Sequence, residues 1–257
     1  MCELFGVTSA GETKINDYVK EFFGHSSQHP HGWGLAQFTD GEVFIEKEPI
    51  QASKSHYLKH RLSADICVKN AFAHIRYATI GNIKYTNCHP YTGKDAGGRR
   101  WTLVHNGTIF DYPQLHEYVH LQQGDTDSER VFLYLLEKIN KKTEELKRPL
   151  TGEERFALLN EIVSDMSKGN KLNLLIFDGE LMYVHTNYRD SLHYMEQDKT
   201  VYFSTQPLSK GKWKPLPFMR LLAYQNGVLK YQGNEHGNEY LDNAENTKFL
   251  YQIFSSL

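Results

Sequence analysis

The sequence is short of cysteine, of net charge and of long apolar runs, and each shortage removes a class of reading. Its three cysteines, Cys2, Cys67 and Cys88, are odd in number and show no Cys-x-x-Cys spacing. That argues against a disulfide framework or a thiolate zinc site and makes a reducing cytoplasm the default compartment. Twenty-nine Lys and Arg balance 31 Asp and Glu to a net charge of −2, so there is no basic stripe for nucleic acid. The longest apolar runs, such as LNLLIF at 172–177, are strand-sized and far below the ~20 residues a membrane helix needs. The opening residues lack the charged and apolar regions of a signal peptide. What is present is 257 residues, 40% of them hydrophobic. That is enough for a real core, and one large domain over residues 2–257 is expected.

Hydrophobic periodicity and turn signals give the order of elements. A first strand is predicted at 2–8, a helix at 15–23, a hairpin at 34–46 around Asp40-Gly41, and a short helix at 54–62. Strands follow at 67–81 and 99–110. The strongest helix covers 126–140, where Thr126 and Glu129 have capping-box spacing, and a second covers 153–169. A charged connector at 141–154 reads as a loop between them. Hairpins around Asp178-Gly179 and Asn226-Gly227 enclose a strand at 201–208. Strands, then helices, then strands predict a layered α+β domain rather than alternating βαβ units. The tail from 233 turns apolar again near its end and reads as an appended helix.

Five stretches carry side chains suited to chemistry. Cys2 follows the initiator methionine; with Met1 removed, one residue would hold a thiol of pKa roughly 8.5 and an α-amine of roughly 7.7–8 that can take its proton. The plain alternative is a small residue starting a strand. In AFAHIRYATIG, Arg76 stands in an apolar strand and needs either a structural carboxylate partner or a substrate carboxylate to grip. Tyr77 and Thr79 could line the same pocket, and His74 reads as a satisfied core residue. In LVHNGTIF, Asn106-Gly107 is either a hairpin turn or an oxyanion hole built from an amide and a backbone N–H. In GDTDSE, Asp125 and Asp127 suit a helix start; Asp127 could also bind a substrate ammonium, while Glu129 is assigned to the capping box. His25, His29 and His31 in HSSQHPHGWG match no metal-ligand spacing well, and Trp33 reads as a lid or packing residue.

Together these describe a thiol nucleophile, an amine base, an oxyanion hole and clamps for a carboxylate and an ammonium. MC, HIRYAT, HNG and DTDSE, in that order, resemble the class II glutamine amidotransferases. YTNCHPY, LNLLIFDG and FSTQPLSKGKW narrow the resemblance to their stand-alone YafJ-like subfamily, over the chain up to about residue 232. The resemblance implies a four-layer αββα N-terminal nucleophile hydrolase sandwich of mostly antiparallel sheets. It implies Cys2 as nucleophile with its own amine as base, Asn106 and Gly107 as oxyanion hole, and Arg76, Tyr77, Thr79 and Asp127 as the glutamine pocket. The implied reaction releases ammonia through a γ-glutamyl thioester, without metal or other cofactor. The alternatives are a γ-glutamyl peptide or amide hydrolase and, further off, a non-catalytic glutamine-binding module. Two positions depart from synthase-linked members, which often have Trp at Tyr77 and His at Ile80. Little length remains for a synthase domain, so a separate ammonia-accepting synthetase subunit is the expected partner if the ammonia is used.

Overall fold

A computed structural model of the chain describes residues 2–39 and 41–254, with side chains through residue 249. Met1 and the Asp40 half of the expected Asp40-Gly41 turn lie outside the described residues, as do the side chains of the last apolar stretch.

Two antiparallel sheets form the centre. The first contains β1 (Glu3–Lys14), β2 (Trp33–Thr39), β3 (Glu42–Glu48), β4 (Cys67–Ile75), β9 (His193–Gln197), β10 (Thr200–Ser204) and β11 (Lys214–Pro215), in the order β11-β9-β10-β1-β4-β2-β3. The second contains β5 (Tyr91–Lys94), β6 (Arg100–Thr108), β7 (Lys171–Phe177), β8 (Met182–His185), β12 (Leu222–Gln225) and β13 (Val228–Gln232), in the order β13-β12-β8-β7-β6-β5. Helices α1 (Asn16–Gly24) and α2 (His56–Arg61) cover the outer face of the first sheet. Helices α3 (Asp127–Leu146) and α4 (Gly152–Met166) cover that of the second. This is the expected αββα sandwich, with α5 (Ala244–Phe254) appended at the end.

Strand parity explains why the opening apolar run does not alternate. Phe5 and Val7 pack under α1, whereas Leu4 packs between the sheets. A strand covered on both faces reads as continuously hydrophobic. The sheets close tightly there: a Cβ on Gly6 would lie 2.8 Å from Leu175 Cδ1. Cys2, Leu4, His74 and Arg76 therefore share the inner face of the first sheet. Val104, Asn106, Thr108, Lys171, Asn173 and Leu175 share the inner face of the second.

Several sequence expectations shift. Asn106-Gly107 is no turn: both residues lie inside β6, opposite Asn173 and Leu172 of β7. The short strands β5 and β9 carry too little periodicity to announce themselves. Helix α3 runs on to Leu146 through half of the expected loop and stops where Lys147 turns left-handed at φ 53°. Its capping box is half made: Thr126 Oγ1 accepts the Glu129 N–H at 3.2 Å. The Glu129 carboxylate instead accepts from Gln123 and Gly124 N–H, at 2.8 and 2.7 Å. The reciprocal box sits on α4, between Thr151 and Glu154. Thr151→Ala is expected to cost about 1 kcal/mol, seen as a lower urea midpoint at unchanged slope; an unmoved midpoint would refute the cap's contribution.

Candidate active site

Cys2 is half-buried at the end of the sandwich where β1 begins and β4 and β6 finish. Its Sγ lies 3.4 Å from both the N–H and the carbonyl oxygen of Tyr77. Burial pushes the thiol above its ordinary value and Asp127 adds to this, while the Tyr77 backbone and Arg76 pull the other way. The resting sulfur is thus a protonated thiol held against the backbone that follows Arg76.

Arg76 is 3% exposed and makes no ion pair with a described carboxylate. The structural-partner alternative takes an unexpected form: Nη1 donates to Asn82 O at 2.9 Å, and Nη2 to Ile80 O and Gly81 O at 3.0 and 2.9 Å. The guanidinium thus folds residues 77–82 back over itself. Gly81 permits the turn, with φ +82° and no room for a Cβ, which would lie 2.5 Å from Asp125 Oδ1. The Asp125 carboxylate anchors the same loop, accepting from Asn82 N–H and Nδ2 at 3.1 and 3.0 Å and pairing with Lys84 at 3.0 Å. Tyr77 and Thr79 lie half-buried on this loop. The Tyr77 ring stands 5.1 Å from that of His31, and the Thr79 hydroxyl bonds to no other described residue.

Asn106 is 5% exposed, and its amide is committed to no described residue. At Gly107 a Cβ would fall 2.0 Å from Lys171 O and 2.5 Å from His105 Nε2, so the strand pair closes only over glycine. Asp127 is 5% exposed at the start of α3. Its carboxylate accepts from Ile109 N–H and Ser128 N–H, both at 2.9 Å, which ties the helix to the end of β6.

Other members of the site carry weak sequence signals. His31 accepts the Ala78 N–H on Nδ1 at 2.9 Å and donates its backbone N–H to Arg76 O at 3.0 Å, while Arg76 N–H donates to Gly32 O at 2.8 Å, so this stretch seats the clamp loop. Burial, then Arg76, lower its pKa, in keeping with a neutral acceptor. His25 and His29 turn instead to Glu3, the residue after Cys2, at 2.8 and 3.7 Å. A carboxylate inside the apolar run CELFGV was the signal for that contact. Trp33 is fully buried packing with its indole N–H on Glu48, not a lid. Its neighbour Gly34 lets the His89 carbonyl approach to 1.9 Å of where a Cβ would stand. His74 is buried as expected but not satisfied: neither its ring nitrogens nor those of His89, 4.1 Å away, find a hydrogen-bond partner among the described residues. Burial above all keeps both imidazoles neutral.

The family description "Glutamine amidotransferases class-II" matches residues 1–197. Protein MJ1515 of Methanocaldococcus jannaschii, of uncharacterised function, is 28% identical over 90% of this chain and 71% of its own length. The YafJ protein of Escherichia coli K12, whose description as a glutamine amidotransferase is itself provisional, is 28% identical over 80% of this chain and 85% of its own. Among solved structures, the glutamine phosphoribosylpyrophosphate amidotransferase of B. subtilis superposes with a TM-score of 0.64 at 17% identity, covering 92% of this chain and 49% of that one. That last likeness is one of fold: the N-terminal nucleophile hydrolase sandwich. Among the described residues no helix is long and apolar enough to cross a membrane. With more than half of its length matched by the family, and with the sandwich to accompany it, the chain belongs to the class II glutamine amidotransferases and is an enzyme of that kind.

Proposed function

We propose that the enzyme cleaves the side-chain amide of L-glutamine through a γ-glutamyl thioester on Cys2, after loss of Met1. One observation carries this reading. A thiol, a buried uncommitted amide beside a glycine N–H, a buried guanidinium and a buried carboxylate converge on one end of the sandwich, from four different elements.

The roles follow from the chemistry. The Cys2 α-amine takes the thiol proton and Sγ attacks the amide carbon. The Asn106 amide and the Gly107 N–H receive the developing oxyanion. Collapse breaks the C–N bond, and ammonia leaves with the proton the amine had taken. Water then cleaves the thioester to glutamate and restores the thiol. Three of the five guanidinium N–H groups of Arg76 already hold the 80–82 loop. The remaining two would be left to take the α-carboxylate. Asp127 would take the α-ammonium, and Tyr77 and Thr79 would line the pocket. An ammonia acceptor would be a separate synthetase subunit.

Three measurements test the reading: ammonia and glutamate released from glutamine in equal amounts, intact mass of the active protein, and labelling by a glutamine analogue bearing an electrophile at the amide position. One label on Cys2 of a protein lacking Met1 is expected. Full activity with Met1 retained on every molecule sinks the amine-base mechanism.

A further inference from the structure

Tyr77 meets Cys2 through two different peptide groups. Its N–H, which shares a peptide with the Arg76 carbonyl, donates to Sγ at 3.4 Å. Its carbonyl, which shares a peptide with the Ala78 N–H, accepts from Sγ at the same distance. One residue holds the far side of both groups. The His31 backbone N–H donates to Arg76 O at 3.0 Å, and His31 Nδ1 accepts the Ala78 N–H at 2.9 Å. A trans peptide is planar, with its C=O and N–H opposed. Fixing Arg76 O therefore aims the Tyr77 N–H, and fixing the Ala78 N–H aims the Tyr77 carbonyl. His31 and Cys2 bracket the same two peptides from opposite sides.

The two halves of this bracket differ in what sustains them. The Arg76 half is backbone to backbone and continues the pairing of β2 with β4, where Trp33 stands opposite Ile75. It does not depend on the side chain at position 31. The Ala78 half depends on the imidazole. A backbone N–H can only donate, so Nδ1 carries no proton and the ring is the neutral Nε2–H tautomer. Charging the ring would set one N–H against another. Ala78 is 1% exposed, so its N–H has little access to water if that partner is lost. The surroundings favour the neutral ring: burial first, then the positive charges of Arg76 and the amino terminus, lower its pKa. The Tyr77 ring faces it at 5.1 Å.

We propose that His31 is a positioning residue for the nucleophile: acting through the Ala78 N–H, its neutral imidazole holds the Tyr77 carbonyl on the Cys2 thiol, so the sulfur is correctly aimed only while His31 is uncharged. The inference rests on the proposed attack by Cys2 and adds a second group whose protonation state governs it. The imidazole moves no proton, and the α-amine remains the base. Without the imidazole, Sγ keeps the Tyr77 N–H but loses the carbonyl that restrains it. The thiol is then freer to meet a small reagent and more poorly aimed at a bound amide. A donor left alone beside the sulfur also favours the thiolate.

The test uses two variants. His31→Leu removes the acceptor; His31→Asn supplies another, an amide oxygen that takes no proton. With glutamine, His31→Leu is expected to lower kcat about 30-fold, in the range that misplacing a reacting atom costs, and to leave KM within about threefold. His31→Asn should recover most of that loss. As pH falls, log kcat/KM of the wild type should decline with a slope of about one as the α-amine protonates, then steepen toward about two as His31 charges, at a pH below the ordinary 6.5. His31→Asn should hold the slope of about one throughout. Without substrate, iodoacetamide should modify Cys2 about tenfold faster in His31→Leu than in the other two forms, while buried Cys88 stays unmodified and reports an intact fold. If Cys88 does react in His31→Leu, the slopes of wild type and His31→Asn decide alone. A His31→Asn variant that fares no better than His31→Leu, or whose slope steepens as the wild type's does, overturns the proposal. A protein that releases no ammonia from glutamine fails on the Cys2 reading, and the alkylation rates still decide for His31: equal rates at Cys2 in all three forms overturn its role.

Discussion

Cys2→Ala is expected to lower ammonia release from glutamine by at least about a thousandfold while leaving the fold intact. The size follows from the role: without the sulfur there is no covalent intermediate, and removing a nucleophile costs most of what the whole catalytic unit supplies. Survival of the fold follows from the position. Cys2 precedes β1 and is half-buried, and its Sγ touches only the Tyr77 backbone among its hydrogen-bond partners. The core contacts begin at Leu4 and Phe5. Unfolding by urea should therefore change little, and ammonia release within tenfold of wild type would refute the nucleophile. The pH profile carries a second expectation. Burial keeps the thiol protonated at rest, so the activity should climb as the α-amine loses its proton, with a midpoint at roughly 7.7–8. A climb that instead tracks a histidine would point to a different base.

Much of the site was legible because its residues are chemically out of place. A thiol behind the first methionine, an arginine in an apolar strand and an Asn-Gly between β-formers each demand a reason, and the structure gathers Cys2, Arg76, Asn106, Gly107 and Asp127 at one end of the sandwich. What stayed hidden depends on distant pairing. Asn106-Gly107 looks like a turn because turn chemistry is local, whereas its place in β6 is fixed by the register with β7, 67 residues away at Asn106↔Asn173. Glu129 has capping-box spacing, yet its carboxylate is taken by the Gln123 and Gly124 N–H groups, a tertiary choice that spacing cannot express. The carbonyls gripped by Arg76 and the imidazole of His31 under Ala78 are likewise backbone contacts, which leave no mark on residue type.

Gly107→Ala is expected to reduce kcat by about 10²–10³-fold with a much smaller change in KM. The added methyl has nowhere to go: its carbon would stand 2.0 Å from Lys171 O, a backbone atom of the neighbouring strand, and 2.5 Å from His105 Nε2. Neither yields readily. Lys171 is held by the β6–β7 ladder, and His105 is buried with Nδ1 on Ser128 Oγ at 2.9 Å. The strand itself must shift, and with it the Gly107 N–H and the Asn106 amide. A loss of that order is what removing one well-placed oxyanion donor costs. In the proposed mechanism glutamine in its ground state would be gripped by Arg76 and Asp127 and has no oxyanion, so KM should move little. Overpacking should also cost about 1–3 kcal/mol of stability. Gly11→Ala is the control, since a Cβ there meets nothing within 4 Å; it should leave both activity and stability near wild type. If Gly107→Ala unfolds at the wild-type urea midpoint and keeps kcat within threefold, the close approach of β6 to β7 is not what shapes the oxyanion hole. If stability falls but kcat holds, the glycine serves packing alone, and the oxyanion must be received by donors other than the Gly107 N–H.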